Sequence, residues 1–126
     1  MTVIPPELFF TADHEWVLNP AGPAARVGVT KFAADQLGDV VFVQLPEVGE
    51  AVAAGAECGE IESIKSVSAL YSPVSGVVTA VNQAAVEAPE MVNEDPFGAG
   101  WLFEVAPEGE ASLLDPAAYA ALTAAG

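Results

Sequence analysis

The sequence predicts a mostly β protein, a flattened barrel or sandwich with a short helix near 31–37 and a C-terminal helix near 116–124. Three observations lead there. Short apolar runs recur at close spacing between Phe9 and Ala106, many with Gly/Pro turns between them, which is the rhythm of an antiparallel β architecture. Helix boundaries are written at two places, Thr30 with Gly38 around 31–37 and Asp115-Pro116 ahead of an Ala-rich tail. No apolar run approaches the roughly 20 residues of a membrane span.

In chain order, the alternation of Phe9 to Leu18 predicts one short strand, closed by Asn19-Pro20 and Gly22-Pro23. Ala25 to Val29 predicts a second. Thr30 then caps a helix over Lys31 to Leu37, with Phe32 and Leu37 toward the core and Gly38 as its stop. Asp39 to Leu45 reads as the most apolar strand, followed by short strands at Val52, Glu57 to Ile64, Val67 to Tyr71 and Val77 to Val81. Around Lys65, Ile61, Ile64, Val67 and Leu70 are interleaved with small or acidic residues. That predicts two strands with the lysine near their turn. Asn82 to Val86 reads as a helical turn, Pro89 to Gly100 as turns, and Trp101 to Ala106 as the last strand. In the final helix Asp115 is the cap, Pro116 is pre-set for the first position, and Tyr119 and Leu122 share a face.

With 126 residues, a single domain over 1–126 is expected, large enough to bury roughly two-thirds of its unfolded surface. Eighteen Asp and Glu stand against Arg26, Lys31 and Lys65, a formal net charge of −15. Such a surface repels phosphate backbones and anionic lipid, so neither nucleic acid nor a membrane is an expected partner. The N-terminus has neither a positive leader nor an Arg-rich amphipathic segment, and a cytoplasmic location is expected. Cys58 is the sole cysteine, so no internal disulfide forms; with no base nearby in sequence it reads as a small half-buried residue.

An enzyme is hard to assemble from these residues. His14 is the only histidine, and no nucleophile elbow, phosphate-binding glycine loop or zinc pair is present. No catalytic or metal-ligating residue is therefore assigned. Lys65 is the informative residue. In a chain so poor in base, a lysine bracketed by small residues on a tight hairpin suits an enzyme that grips the hairpin and acylates its amine. An amide there would move the net charge from −15 by one further negative unit and add a flexible arm to a rigid body.

Glu62-Ser63-Ile64-Lys65-Ser66-Val67-Ser68, followed by Tyr71-Ser72-Pro73-Val74-Ser75-Gly76, resembles the lipoyl-attachment hairpin of the glycine cleavage system H-protein family. Further blocks match in order: Asp13-His14-Glu15-Trp16-Val17, Val27-Gly28-Val29-Thr30, Gln36 to Val43, Leu45 to Gly49, and Val92 to Phe103. The hairpin alone fits any lipoyl domain, whereas the flanking blocks point to this family. The resemblance implies a lipoyl/biotinyl-carrier fold, the barrel-sandwich hybrid, with its lipoyl hairpin at about 59–76.

It also implies a monomeric carrier that is not itself an enzyme. Lipoate would be amide-linked to Lys65 by a lipoyl-attaching enzyme. The arm would take an aminomethyl group from glycine at the pyridoxal-phosphate decarboxylase (P-protein). It would yield the methylene unit at the aminomethyltransferase (T-protein), with release of ammonia, and be reoxidised by dihydrolipoamide dehydrogenase (L-protein). The resemblance places the loaded arm in a cleft beside the His-Glu-Trp strand, with Glu15 as the acid that holds its amine and Asp13 as a neighbouring candidate. Family members often carry an acid four positions after the lysine, where this chain has Ala69, and Ala just after it, where this chain has Ser66. A free-standing carrier relaying lipoate to other proteins is the alternative. A biotin carrier fits less well, because Lys65 lacks flanking methionines.

Overall fold

A computed structural model of the chain describes residues 7–109 and 113–125. In order the elements are β1 (Leu8–Phe10), β2 (Glu15–Leu18), β3 (Ala25–Val29), α1 (Lys31–Leu37), β4 (Val40–Gln44), β5 (Ala51–Val52) and β6 (Glu57–Ser63). They continue with β7 (Val67–Tyr71), β8 (Gly76–Val81), α2 (Gln83–Glu87), α3 (Met91–Glu94), β9 (Phe103–Pro107) and α4 (Pro116–Ala125). Two antiparallel sheets result, a six-stranded one ordered β1-β2-β3-β9-β8-β5 and a three-stranded one ordered β4-β6-β7. Val27, Val78, Phe103 and Val105 of the larger sheet share one buried cluster with Val43, Ile61 and Leu70 of the smaller. The expected sandwich is thus two sheets closing on a common core.

A second cluster gathers Leu8, Phe10, Trp16 and Tyr119 where α4 covers the β1–β2 hairpin. The Tyr119 ring stacks on Phe10 at 4.6 Å between centroids, an arrangement worth about 0.5–1.5 kcal/mol beyond the area it buries. Trp16 lies so close over Gly28 that a Cβ there would sit 2.5 Å from the indole. Its Nε1–H donates to the Pro96 carbonyl at 2.9 Å, satisfying the one polar atom of an otherwise apolar side chain.

The helix over 31–37 forms as its caps predict. Thr30 Oγ1 accepts the Ala33 N–H at 3.2 Å, and Gly38 ends the helix at φ 78. Its fully buried residue is Ala34; Phe32 and Leu37 are half-buried because they also face the cleft described below. At the C-terminus the Asp115 carboxylate accepts the Ala118 N–H at 2.8 Å.

Several expectations are corrected. Phe9 to Leu18 is a hairpin of β1 and β2 and not one strand. Thr11, Asp13 and His14 favour turn conformations: the Thr11 N–H donates to the Glu15 carbonyl at 3.0 Å, and His14 turns the chain at φ 67. The residues 89–100 include α3, which the turn-rich composition hides. Leu122 does not share the anchoring role of Tyr119, being 41 % exposed against 1 %, because α4 meets the body along the side that carries Tyr119. Around Lys65 the apolar residues divide: Ile61 and Leu70 are buried, whereas Ile64, in the turn, and Val67, at the start of β7, stand out in solvent.

Candidate functional site

The β6–β7 hairpin turns through Ile64, Lys65 and Ser66. Buried Ser63 organises the turn: its Oγ accepts the N–H groups of both Lys65 and Ser66 at 3.2 Å, and its own N–H donates to the Ser66 carbonyl at 2.8 Å. The Ile64 N–H donates to the Asp39 carbonyl at 3.1 Å, tying the tip to the start of β4. Hydrogen bonds to the Ser63 hydroxyl and to the backbone therefore fix the tip, while Lys65 itself is exposed.

The stem of Lys65 rests over Gly38, where a Cβ would sit 3.1 Å from Lys65 Cε. Gly38 is fixed in turn by Asn93, whose Nδ2 donates to the Gly38 carbonyl at 2.8 Å and whose Oδ1 accepts the Val40 N–H at 2.9 Å. The ion pairs among the described residues are Arg26–Glu104 at 2.8 Å and Lys31–Asp35 at 3.1 Å. Lys65 takes part in neither.

Beside the hairpin lies a cleft of about 410 Å³ between α1 and β7. Phe32 and Leu37 line it from α1, and the run Ser66 to Leu70 lines it from the hairpin. Asp13, His14 and Glu15 complete it from the β1–β2 turn. Lys65 thus adjoins the cleft through Ser66 on one side and, across its stem, through Gly38 and Leu37 on the other. Ala69 sits on the wall, so β7 supplies no carboxylate at that position and the acids lining the cleft are Asp13 and Glu15.

These two carboxylates differ in setting. Asp13 is exposed, whereas Glu15 is 3 % exposed. Burial pushes the Glu15 carboxyl up to about 7, with the neighbouring Asp13 charge adding to the rise and hydrogen bonds from Thr11 and the Tyr71 backbone opposing it. The Thr11 hydroxyl donates to Glu15 Oε1 at 2.9 Å. Glu15 therefore changes charge near neutral pH and accepts a cation readily, because an ammonium beside it offsets the burial that raised its pKa. Glu15 also lines a smaller cavity of about 280 Å³ with Thr11, Gly55 and Ser72.

His14 packs its ring on Phe32 at 4.6 Å, and burial lowers its pKa below the ordinary imidazole value against the opposing pull of the Asp13 charge. Cys58 is half-buried away from the cleft, and desolvation with the Glu15, Glu50 and Glu57 charges pushes its thiol up to about 12. A thiol so raised is a poor nucleophile.

Several contributors escaped the sequence reading. The Thr11 hydroxyl toward Glu15 was legible as a Thr four positions before an acid in a turn. Asn93 and Gly38 under the Lys65 stem, and Tyr119 against His14, were not, since they come from distant segments.

A family profile for the glycine cleavage H-protein matches residues 8–125. The chain belongs to the glycine cleavage H-protein family. The H protein of Beutenbergia cavernae is 61 % identical over 122 residues, covering 95 % of this chain and 96 % of its own. That of Thermobifida fusca is 57 % identical over 121 residues, covering 95 % of each. Among solved structures, the crystal structure of a Mycobacterium marinum H protein superposes with a TM-score of 0.91 at 48 % identity, over 96 % of this chain and 99 % of that one.

H-proteins are non-catalytic carriers of the glycine cleavage system and hold lipoate as lipoyl-lysine. This chain is a component of that system. Its residues fit such an arm: an exposed lysine on a hydrogen-bonded turn stands at the rim of a cleft with both apolar and polar walls, and the glycine beneath its stem leaves the stem room. Among the described residues no helix is long and apolar enough to cross a membrane.

Proposed function

We propose that Lys65 is the residue that bears lipoate and that the cleft at Glu15 shelters the cargo end of the arm. The observation that carries this reading is the position of Lys65: exposed at the hairpin tip, outside the ion pairs that occupy Arg26 and Lys31, and one residue from the cleft wall. When attached, lipoate would supply a dithiolane whose S–S bond opens as one sulfur takes the aminomethyl group of glycine, leaving, once the cargo has gone, a dithiol that hands its two electrons to the L-protein. The chain's own residues do the rest. Phe32 and Leu37 exclude water along the cleft wall, which protects a hydrolysable cargo. Glu15 accepts the cargo's ammonium through a charge-assisted hydrogen bond, and exposed Asp13 draws the cation toward the mouth.

On this reading the partners are the P-, T- and L-proteins, which the arm visits in turn, and the enzyme that attaches lipoate. The carrier works as a monomer of one domain in the cytoplasm, with neither nucleic acid nor membrane as a partner. Lipoylation with a ligase and free lipoate tests the assignment. Intact mass and peptide mapping should place one lipoyl group on Lys65, and Lys65→Arg should fold normally, remain unmodified and fail to support reconstituted glycine decarboxylation. Modification at Lys31, or activity of the Lys65→Arg variant, would refute it.

A further inference from the structure

Tyr119 lies 105 positions from His14 and 89 from Thr30, yet its hydroxyl touches both, at 2.8 Å from His14 Nδ1 and 2.7 Å from Thr30 Oγ1. These two residues already face each other at the end of the β2–β3 ladder, where the Thr30 N–H donates to the His14 carbonyl at 3.0 Å, and each leads into a different wall of the cleft. His14 lines it from the β1–β2 turn, and Thr30 caps α1, which supplies the Phe32 and Leu37 wall. Tyr119 itself is 1 % exposed, clamped by its stack on Phe10. We infer that Tyr119 is a positioning residue of the cleft: it locks the His14 turn to the α1 cap and sets which imidazole nitrogen faces the cleft.

The proton count decides the tautomer. Thr30 Oγ1 already accepts the Ala33 N–H, and the acceptor within reach of its own proton is Tyr119 Oη. If Thr30 donates to Tyr119, the phenol proton goes to His14 Nδ1, and the ring carries its proton on Nε2. With the proton on Nδ1 instead, either the Thr30 or the Tyr119 hydroxyl proton is left without an acceptor among the described residues, which is costly. Among the described residues His14 Nε2 has no hydrogen-bond partner and no buried side-chain N or O lacks one, so Nε2 is accessible, on a ring that lines the cleft. The cleft thus presents a neutral N–H donor from His14 beside the acceptor Glu15. The pair matches an arm that brings both an acceptor atom and an ammonium. The His14 backbone, at φ 67, is held by its N–H donating to the Thr11 carbonyl at 3.1 Å and its carbonyl accepting the Thr30 N–H at 3.0 Å, and the Tyr119 bond fixes the ring on that backbone.

This inference rests on the cleft reading above, and the first part of its test does not. In the unlipoylated chain, nitrogen-15 NMR of the single histidine should show Nε2 protonated and Nδ1 as acceptor. Tyr119→Phe, which keeps the Phe10 stack, should lose that preference and populate both tautomers. In the lipoylated, glycine-loaded protein, the same variant should shorten the lifetime of the loaded state by about fivefold, the size of one neutral hydrogen bond. A wild-type ring protonated on Nδ1 overturns the inference even if Tyr119→Phe fails to fold, since that measurement needs no variant. An unchanged lifetime in a folded Tyr119→Phe protein overturns it as well. Failure of lipoylation at Lys65 would strike the earlier reading and leave the tautomer result standing.

Discussion

Glu15 is a carboxylate that the fold keeps partly protonated at neutral pH, and its effect on stability has a definite sign. Its folded pKa, about 7, lies above the ordinary 4.5, so the folded chain holds the proton more tightly than the unfolded one. The associated stability is complete below pH 4.5, where both states are protonated. It is lost as the pH rises to and through 7, by about 3 kcal/mol in total for a shift of this size. Glu15→Gln keeps the shape and removes the titration. Urea unfolding should therefore show the variant gaining on the wild type by a few kcal/mol between pH 5 and pH 8. Parallel pH profiles would mean that Glu15 is ionised at little cost. Glutamate at 15 was legible as a candidate from its motif, but its pKa was not, because desolvation is a property of what packs around it.

At the scale of elements, α1 and the β6–β7 hairpin meet at Gly38 and Lys65. Gly38 has two reasons to lack a side chain: φ 78, and Lys65 Cε at 3.1 Å from where a Cβ would go. Gly38→Ala should cost about 1–2 kcal/mol from the backbone conformation, read as a lower urea midpoint. It should also slow enzymatic lipoylation several-fold by displacing the stem, and an unchanged rate would show that the stem's resting place is immaterial to attachment. The elements most legible beforehand were those with strong local signals: α1 between Thr30 and Gly38, α4 behind Asp115-Pro116, and β3 and β7 at their observed bounds. The β1–β2 split was hidden because alternation continues across Thr11 to His14 even as the backbone reverses. The exposure of Val41 and Phe42, about half in each, follows from a bulge between Val40 and Phe42 that no local pattern announces.

For the whole molecule, 18 acids against three bases leave the folded state under self-repulsion that two ion pairs among the described residues barely relieve. Salt screens such repulsion over about 10 Å at 0.1 M. The melting temperature should rise by about 4 °C or more between low salt and 0.2 M NaCl, given the sensitivity expected of a domain this size. A fall would mean that the Arg26–Glu104 and Lys31–Asp35 pairs outweigh the repulsion. Lipoylation of Lys65 removes a further positive charge, and the same titration on the modified protein should show a slightly steeper rise.

By itself the sequence determined the mostly β class, both ends of α1 and the start of α4, the hairpin that presents Lys65 and the resemblance to a lipoyl carrier. Each of these is written in neighbouring residues: period-two alternation, capping side chains, and a contiguous motif. Only the tertiary structure decided which residues of α1 and β7 wall the cleft, that Gly38 and Asn93 seat the lysine stem, that Glu15 is buried while Asp13 is not, and that the Tyr119 hydroxyl bonds both His14 and Thr30. Burial, pKa and tautomer depend on groups brought together through space from segments as many as 105 positions apart. The chain's local pattern is silent about them until the sheets close and α4 docks.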